Sequence, residues 1–295
     1  MTKFRLAHAR RLGEAKAKEF ELKSFPICPF QIAKQEDIMI QAKEPEATGV
    51  SGGIFFHGNE VGIFYATNID NKGFQRFTIA HELGHYYIDG HPDEIINNGG
   101  FHPSRAGFTE GASSIELEAD HFASGLLLPS HLVEQHLSEA QRGMAGILSL
   151  HDVSICSITA CAIRAAECVR YPLAVIVSKD DTVSYSFLSE SFKSLDFKGY
   201  LRKGATLPNT ATRSFNASMT NVQSSHQVCA QTSLSDWFDT RSNVPLDEEI
   251  IGLGSYGFTL TVLSSNDLPD DPYEEDYDEE EILIESWTPR FSYKK

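Results

Sequence analysis

Apolar residues recur along this chain in two rhythms. Phe74, Phe77, Ile79, Leu83, Tyr86 and Tyr87 mostly fall two to four apart, the spacing of a helix buried on most sides. Ile115, Ala119, Phe122, Ala123, Leu126 and Leu127 predict a second helix. Ser113 or Ser114 caps it, acids fill its first turns and Pro129 stops it. Residues 5–24 read as a helix closed by Phe25-Pro26, and Pro29 to Gln35 as the start of another. A strand around Ile38 to Ile40 precedes a hairpin, Gly53 to Phe56 and Val61 to Tyr65, turning at His57-Gly58-Asn59. Asp89 to Ala112, rich in Gly, Pro, Asn and His, reads as one long loop of the functional kind. Helices are expected over 130–136, 138–150 and 154–169. The texture then changes. Leu173 to Ser178 and Val183 to Phe187 flank a turn at Asp180-Asp181, and further strands are expected over Glu249 to Gly252 and Phe258 to Val262.

At 295 residues the chain is long enough for two domains. The expected organisation is an N-terminal helical extension over 1–29, a central α+β domain over 30–171, a smaller β-rich domain over 172–265 and a tail over 266–295. Net charge is −16, yet eleven acids and no base lie between Asp267 and Glu285, which leaves about −5 on the rest. The tail has the composition of a disordered segment. It reads either as a solubilising extension or as an arm that docks on a basic partner or folds back over the protein. So acidic a chain is a poor general nucleic-acid binder, and glutamates interrupt the lysines and arginines of the first helix, which reads as a solvated face. No run of eighteen apolar residues exists and the first 23 residues lack the apolar core of a signal peptide, so neither a membrane span nor export is expected. Five cysteines, odd in number and without paired spacing, suit a reducing cytoplasm.

The chemistry concentrates at His81-Glu82-Leu83-Gly84-His85. Residues four apart share a helix face, so His81 and His85 can turn two imidazoles to one metal ion. Glu82 sits one residue round, able to reach water at that ion without ligating it. A catalytic zinc needs a third protein ligand and an open fourth position. His91 has the spacing of a third histidine, but the sharp turn it requires falls on Ile88, a β-branched residue that resists positive φ; it reads as a loop residue. Glu116 borders the apolar stripe of the next helix and is the better ligand. Asp120, one turn on, can accept the N–H of a ligating histidine, whereas Glu118 reads as solvated. His102 and Arg105, in the long loop, are candidates to hold substrate. The edge of the early sheet could pair with an extended substrate backbone.

Arg76 to His85, then Glu116-Leu117-Glu118-Ala119-Asp120-His121-Phe122-Ala123 and Leu126-Leu127-Leu128-Pro129, resemble the ImmA/IrrE-type metallopeptidases, whose pattern is close to RxTxAHELGH followed by ExEAN-x-FA-x-x-LLMP. Asp120 stands for the usual asparagine and Leu128 for the usual methionine. The resemblance covers about residues 30–170. It implies a zincin-like domain with a small antiparallel sheet and active-site helices, binding one Zn²⁺ through His81, His85 and Glu116 with Glu82 catalytic. It also implies a protein substrate, often a helix-turn-helix repressor, in transcription regulation or stress response. His121, Tyr86, His102 and Arg105 are open candidates for stabilising the oxyanion. Two rivals remain: a regulatory module that sequesters a repressor or toxin without cleaving it, and a histidine-rich fold without metal.

Overall fold

The computed structural model describes residues 3–44, 50–68, 70–104, 114–254, 257–266 and 268. Arg105, Ser113 and nearly all of the acidic tail therefore lie outside the described residues. The chain divides into two compact units, Met1–Leu132 with His151–Ala160, and Val133–Leu150 with Cys161–Lys295.

The first unit opens with α1 (Lys3–Glu19) and α2 (Pro29–Gln35), then β1 (Met39–Lys43), β2 (Gly52–His57) and β3 (Glu60–Ala66). α3 (Lys72–Tyr87), α4 (His91–Asn97), β4 (Phe101–Ser104) and α5 (Ser114–Leu127) follow. β2 and β3 form the hairpin that the alternation predicts, and Gly58 supplies the positive φ of its turn. The sheet, in the order β1-β3-β2-β4, is mixed, which corrects the expectation of an antiparallel one. The hairpin presents the outer side of β3 to β1, which runs the same way and pairs with it in parallel. The loop expected over 89–112 holds two elements. Gly90 in the left-handed region and Pro92 at the first turn start α4, and β4 adds to the free side of β2.

α5 is buried nearly all round because α1 and α3 pack on different sides of it. A Cβ on Gly13 would lie 2.2 Å from the Phe122 carbonyl oxygen, and one on Gly125 2.2 Å from that of Arg10. The backbones of α1 and α5 therefore touch. Between α3 and α5 the contact falls at Gly84, whose Cβ would lie 3.0 Å from Cα of Ala119. Ile79, Leu83, Ala119, Phe122 and Leu126, all fully buried, close the core around it. The Arg76 guanidinium donates to the Ile27 carbonyl, tying α3 to the segment before α2.

Three helices, α6 (Ser130–Glu139), α7 (Met144–Ser154) and α8 (Ile158–Cys168), divide their residues between the two units. The second unit has a five-stranded antiparallel sheet built from β5 (Leu173–Lys179), β6 (Thr182–Leu188), β7 (Gln227–Ser233), β8 (Pro245–Gly252) and β9 (Thr259–Ser264) in the order β6-β5-β9-β8-β7. β7 arises in a Ser/Thr/Gln-rich stretch whose periodicity gives no strand signal, because an edge strand half open to solvent needs little apolar alternation. Short helices α9 (Glu190–Lys193) and α12 (Leu234–Trp237) bring Phe192, Leu234 and Trp237 onto Ala174, Ile176 and Leu263 of the sheet, while α10 (Ala211–Asn216) and α11 (Met219–Gln223) pack Phe215 and Val222 with Ile250. All five cysteines are free. Among the described residues no single helix is long and apolar enough to cross a membrane.

Candidate functional site

α3 begins at the Asn71 side chain, which accepts from the Phe74 amide, and carries its last turns into the core. Thr78 to His85 are all buried. Gly84 lets α5 approach closely enough to bring Glu116 and Asp120 to the histidines. Nε2 of His81 and Nε2 of His85 lie 3.2 Å apart. Glu116 bridges them, with Oε2 3.5 Å from His81 Nε2 and Oε1 3.3 Å from His85 Nε2. One ligand atom from each of the three lies within 4.8 Å of the others.

The remaining nitrogens have their own partners. Nδ1 of His81 lies 2.8 Å from Asp120 Oδ1. Nδ1 of His85 lies 3.2 Å from Nδ1 of His91. With both Nδ1 atoms engaged, both Nε2 atoms point to one place beside a carboxylate, a donor set of two imidazoles and one carboxylate that fits a catalytic zinc. Glu82 is fully buried beside this set, and among the described residues neither of its oxygens makes a well-formed hydrogen bond, although the Ser104 hydroxyl is near enough to favour its charge. A carboxylate is seldom buried in that way unless a cation or water serves it.

Electrostatics set the four groups apart. Burial opposes charge on His81, but hydrogen bonds to Asp120 and Glu116 outweigh it and push the imidazole up to about 10. Burial draws His85 down to about 3, against the pull of Glu116. Burial lifts Glu82 to about 7, with the nearby His81 charge working against it. Burial would raise Glu116 too, yet the imidazoles of His102, His81 and His85 around it hold it far below the usual carboxylate range. One proton is thus shared unequally by two imidazoles that face the same point.

Of the sequence-derived candidates, His81, Glu82, His85, Glu116 and Asp120 come together here. His102, on β4, also joins them. Its Nε2 lies 2.5 Å from Glu116 Oε1, and its ring centroid 4.6 Å from that of His85. Tyr86 turns its hydroxyl to Glu36, 3.5 Å away at the end of α2, and His121 is buried in α5. Two expectations need correcting. His91 is not in a loop: it is the first residue of α4, buried behind His85. Glu118 is not solvated: it is buried between His91 and Arg5 of α1. Gly90 and Pro92 flanking His91 are the local signal of a helix start, and Ala119, Gly125 and Gly13 hinted that α5 is enclosed.

A family model, Peptidase_M78 (IrrE N-terminal-like domain), matches residues 33–156. That segment belongs to the ImmA/IrrE-type family. The assignment makes a metallopeptidase the class of activity to weigh, and the His-His-Glu cluster lies inside the matched segment. Among solved structures, a Mycobacterium tuberculosis transcriptional regulator is similar, with a TM-score of 0.53 at 13% identity over 88% of this chain and 76% of that one. At that identity the likeness concerns the fold. No curated protein matches the chain.

Proposed function

We propose that this ImmA/IrrE-type protein is a zinc-dependent endopeptidase that hydrolyses a peptide bond in a specific cytoplasmic protein, a helix-turn-helix transcriptional repressor. The observation that carries the reading is the convergence of two imidazole Nε2 atoms and the Glu116 carboxylate next to the fully buried carboxyl group of Glu82. His81, His85 and Glu116 would hold the ion. A zinc ion held there would supply a Lewis acid for the scissile carbonyl and would acidify a bound water.

Glu82 is the general base. Burial sets its pKa at about 7, near the pH at which a base both accepts and returns a proton. It takes the proton of the attacking water and passes it to the leaving amine. Asp120 holds His81 with Nε2 turned inward. His102, whose Nε2 lies against Glu116 Oε1, would turn that nitrogen's hydrogen to the carbonyl oxygen as it becomes negative. β4, an edge strand of the sheet among the described residues, would pair with an extended substrate, with Pro103 able to contribute only its carbonyl. The repressor enters through the family resemblance, and the structurally similar mycobacterial protein is itself called a transcriptional regulator. The five free cysteines suit a reducing compartment.

The test is to incubate wild-type protein and Glu82→Gln, with zinc content measured, with any helix-turn-helix regulator found encoded beside it. The expected result is cleavage by wild type alone with zinc retained by both. Cleavage by Glu82→Gln at the wild-type rate removes Glu82 from the mechanism. A zinc-loaded complex that neither protein cleaves turns the reading to a sequestering module.

A further inference from the structure

The two ring nitrogens of His85 have different surroundings. Nε2 faces Glu116 and His81, while Nδ1 lies against Nδ1 of His91 at 3.2 Å. His91 Nε2 is in turn 3.3 Å from Glu118 Oε2, and Arg5 Nη2 is 3.0 Å from that same oxygen. The side chains of His91 and Glu118 are 1% exposed and that of Arg5 47%. A single file of contacts thus runs from the surface of α1 through α5 and α4 to α3.

Donors and acceptors fit this file in one direction. Arg5 only donates and the Glu118 carboxylate only accepts. Nε2 of His91 must then carry the hydrogen that it gives to Glu118, which leaves a lone pair on Nδ1. That lone pair accepts from Nδ1–H of His85. The Nε2 lone pair of His85 is left free, on the side where Glu116 and His81 converge. These proton positions follow from the partners.

We propose that His91 and Glu118 are positioning residues that fix the tautomer and ring orientation of His85, with Arg5 anchoring them to α1. The proposal rests on the reading of His85 as a zinc ligand. His81 has a carboxylate directly on Nδ1, supplied by Asp120 at 2.8 Å; His85 receives the same support through an intervening imidazole. His91 therefore does not compete for the ion. It stands behind His85, outside the group formed by His81, His85 and Glu116.

The experiment compares zinc affinity, by competition with a chromogenic chelator, and the cobalt d–d spectrum of the full chain and its variants. His85→Ala should lose the ion. His91→Phe keeps a ring but removes the acceptor, and should bind zinc about 10- to 100-fold more weakly, the usual cost of losing such support, with shifted cobalt bands. In His91→Asn, Oδ1 can take the place of Nδ1, and most of the loss should be recovered. A His91→Phe protein with wild-type affinity and spectrum overturns the relay and leaves the metal site standing, even if its melting temperature falls. Wild-type protein that takes up no zinc, or His85→Ala that keeps it, overturns the metal reading and the relay with it. If His91→Phe does not fold, Glu118→Met decides. It keeps the length of the side chain and removes the acceptor for His91 Nε2–H, so weaker zinc binding supports the relay and unchanged affinity and spectrum overturn it.

Discussion

A single proton separates two otherwise similar histidines. His81 lies between two carboxylates, Asp120 and Glu116, and is held up to about 10, while His85 is drawn down to about 3. At neutral pH the metal-free pair carries one proton, on His81. Zinc needs the lone pair that this proton occupies, so uptake at pH 7 should release about one proton per ion. Because the folded pKa is raised, competition from the proton strengthens as pH falls, and zinc affinity should drop about tenfold per pH unit on the acid side of pH 10. Calorimetry in buffers of different ionisation enthalpy measures the release; a buffer-independent heat would mean that His81 is already neutral. His102 makes a second prediction at this scale. It touches Glu116 rather than completing the ligand set. Replacing it with alanine should lower kcat by about 100- to 1000-fold, as for loss of an oxyanion donor, with zinc still bound. Loss of zinc from His102→Ala would instead make it a ligand.

Contact between helices places these residues. The separation of α3 and α5 is set where Gly84 meets Ala119. Gly84→Val adds branched atoms where even one Cβ is tight, and should cost about 1–3 kcal/mol, as overpacking does. It should also weaken zinc binding, because α5 carries Glu116 and α3 carries both histidines. Thermal melting together with zinc competition checks both effects. Wild-type affinity in a folded Gly84→Val protein would show that the ligands do not depend on this spacing. α3 and α5 could be read from their apolar periodicity, and the His-Glu spacing placed Glu82 beside the two histidines. α4 and β4 were not legible. α4 has seven residues and β4 four, too short for periodicity to emerge, and their pairing with distant elements is what stabilises them.

For the whole molecule, the acidic stretch weighs most on charge and least on the described structure. Leu268 packs on the core of the second unit, and its carbonyl accepts from Arg142. Truncation should therefore begin after Leu268 rather than at residue 266. Such a protein is expected to keep its zinc content and melting temperature, measured beside wild type. Weaker binding of a basic partner by the truncated protein, relieved by salt, would assign the tail a docking role. The sequence by itself determined the residues of the His-His-Glu cluster, the two helices that bear them and the hairpin beside them, because helix and strand periods are local and the His-Glu pentad is a matter of spacing along one helix. Only tertiary structure decided the rest. Glu118 became a buried partner because α1 covers α5; His91 moved behind His85 because Gly90 turns the chain; and the early sheet became mixed because β1 joined the free side of β3. Each depends on segments distant in sequence meeting in space, which no local pattern of residues records.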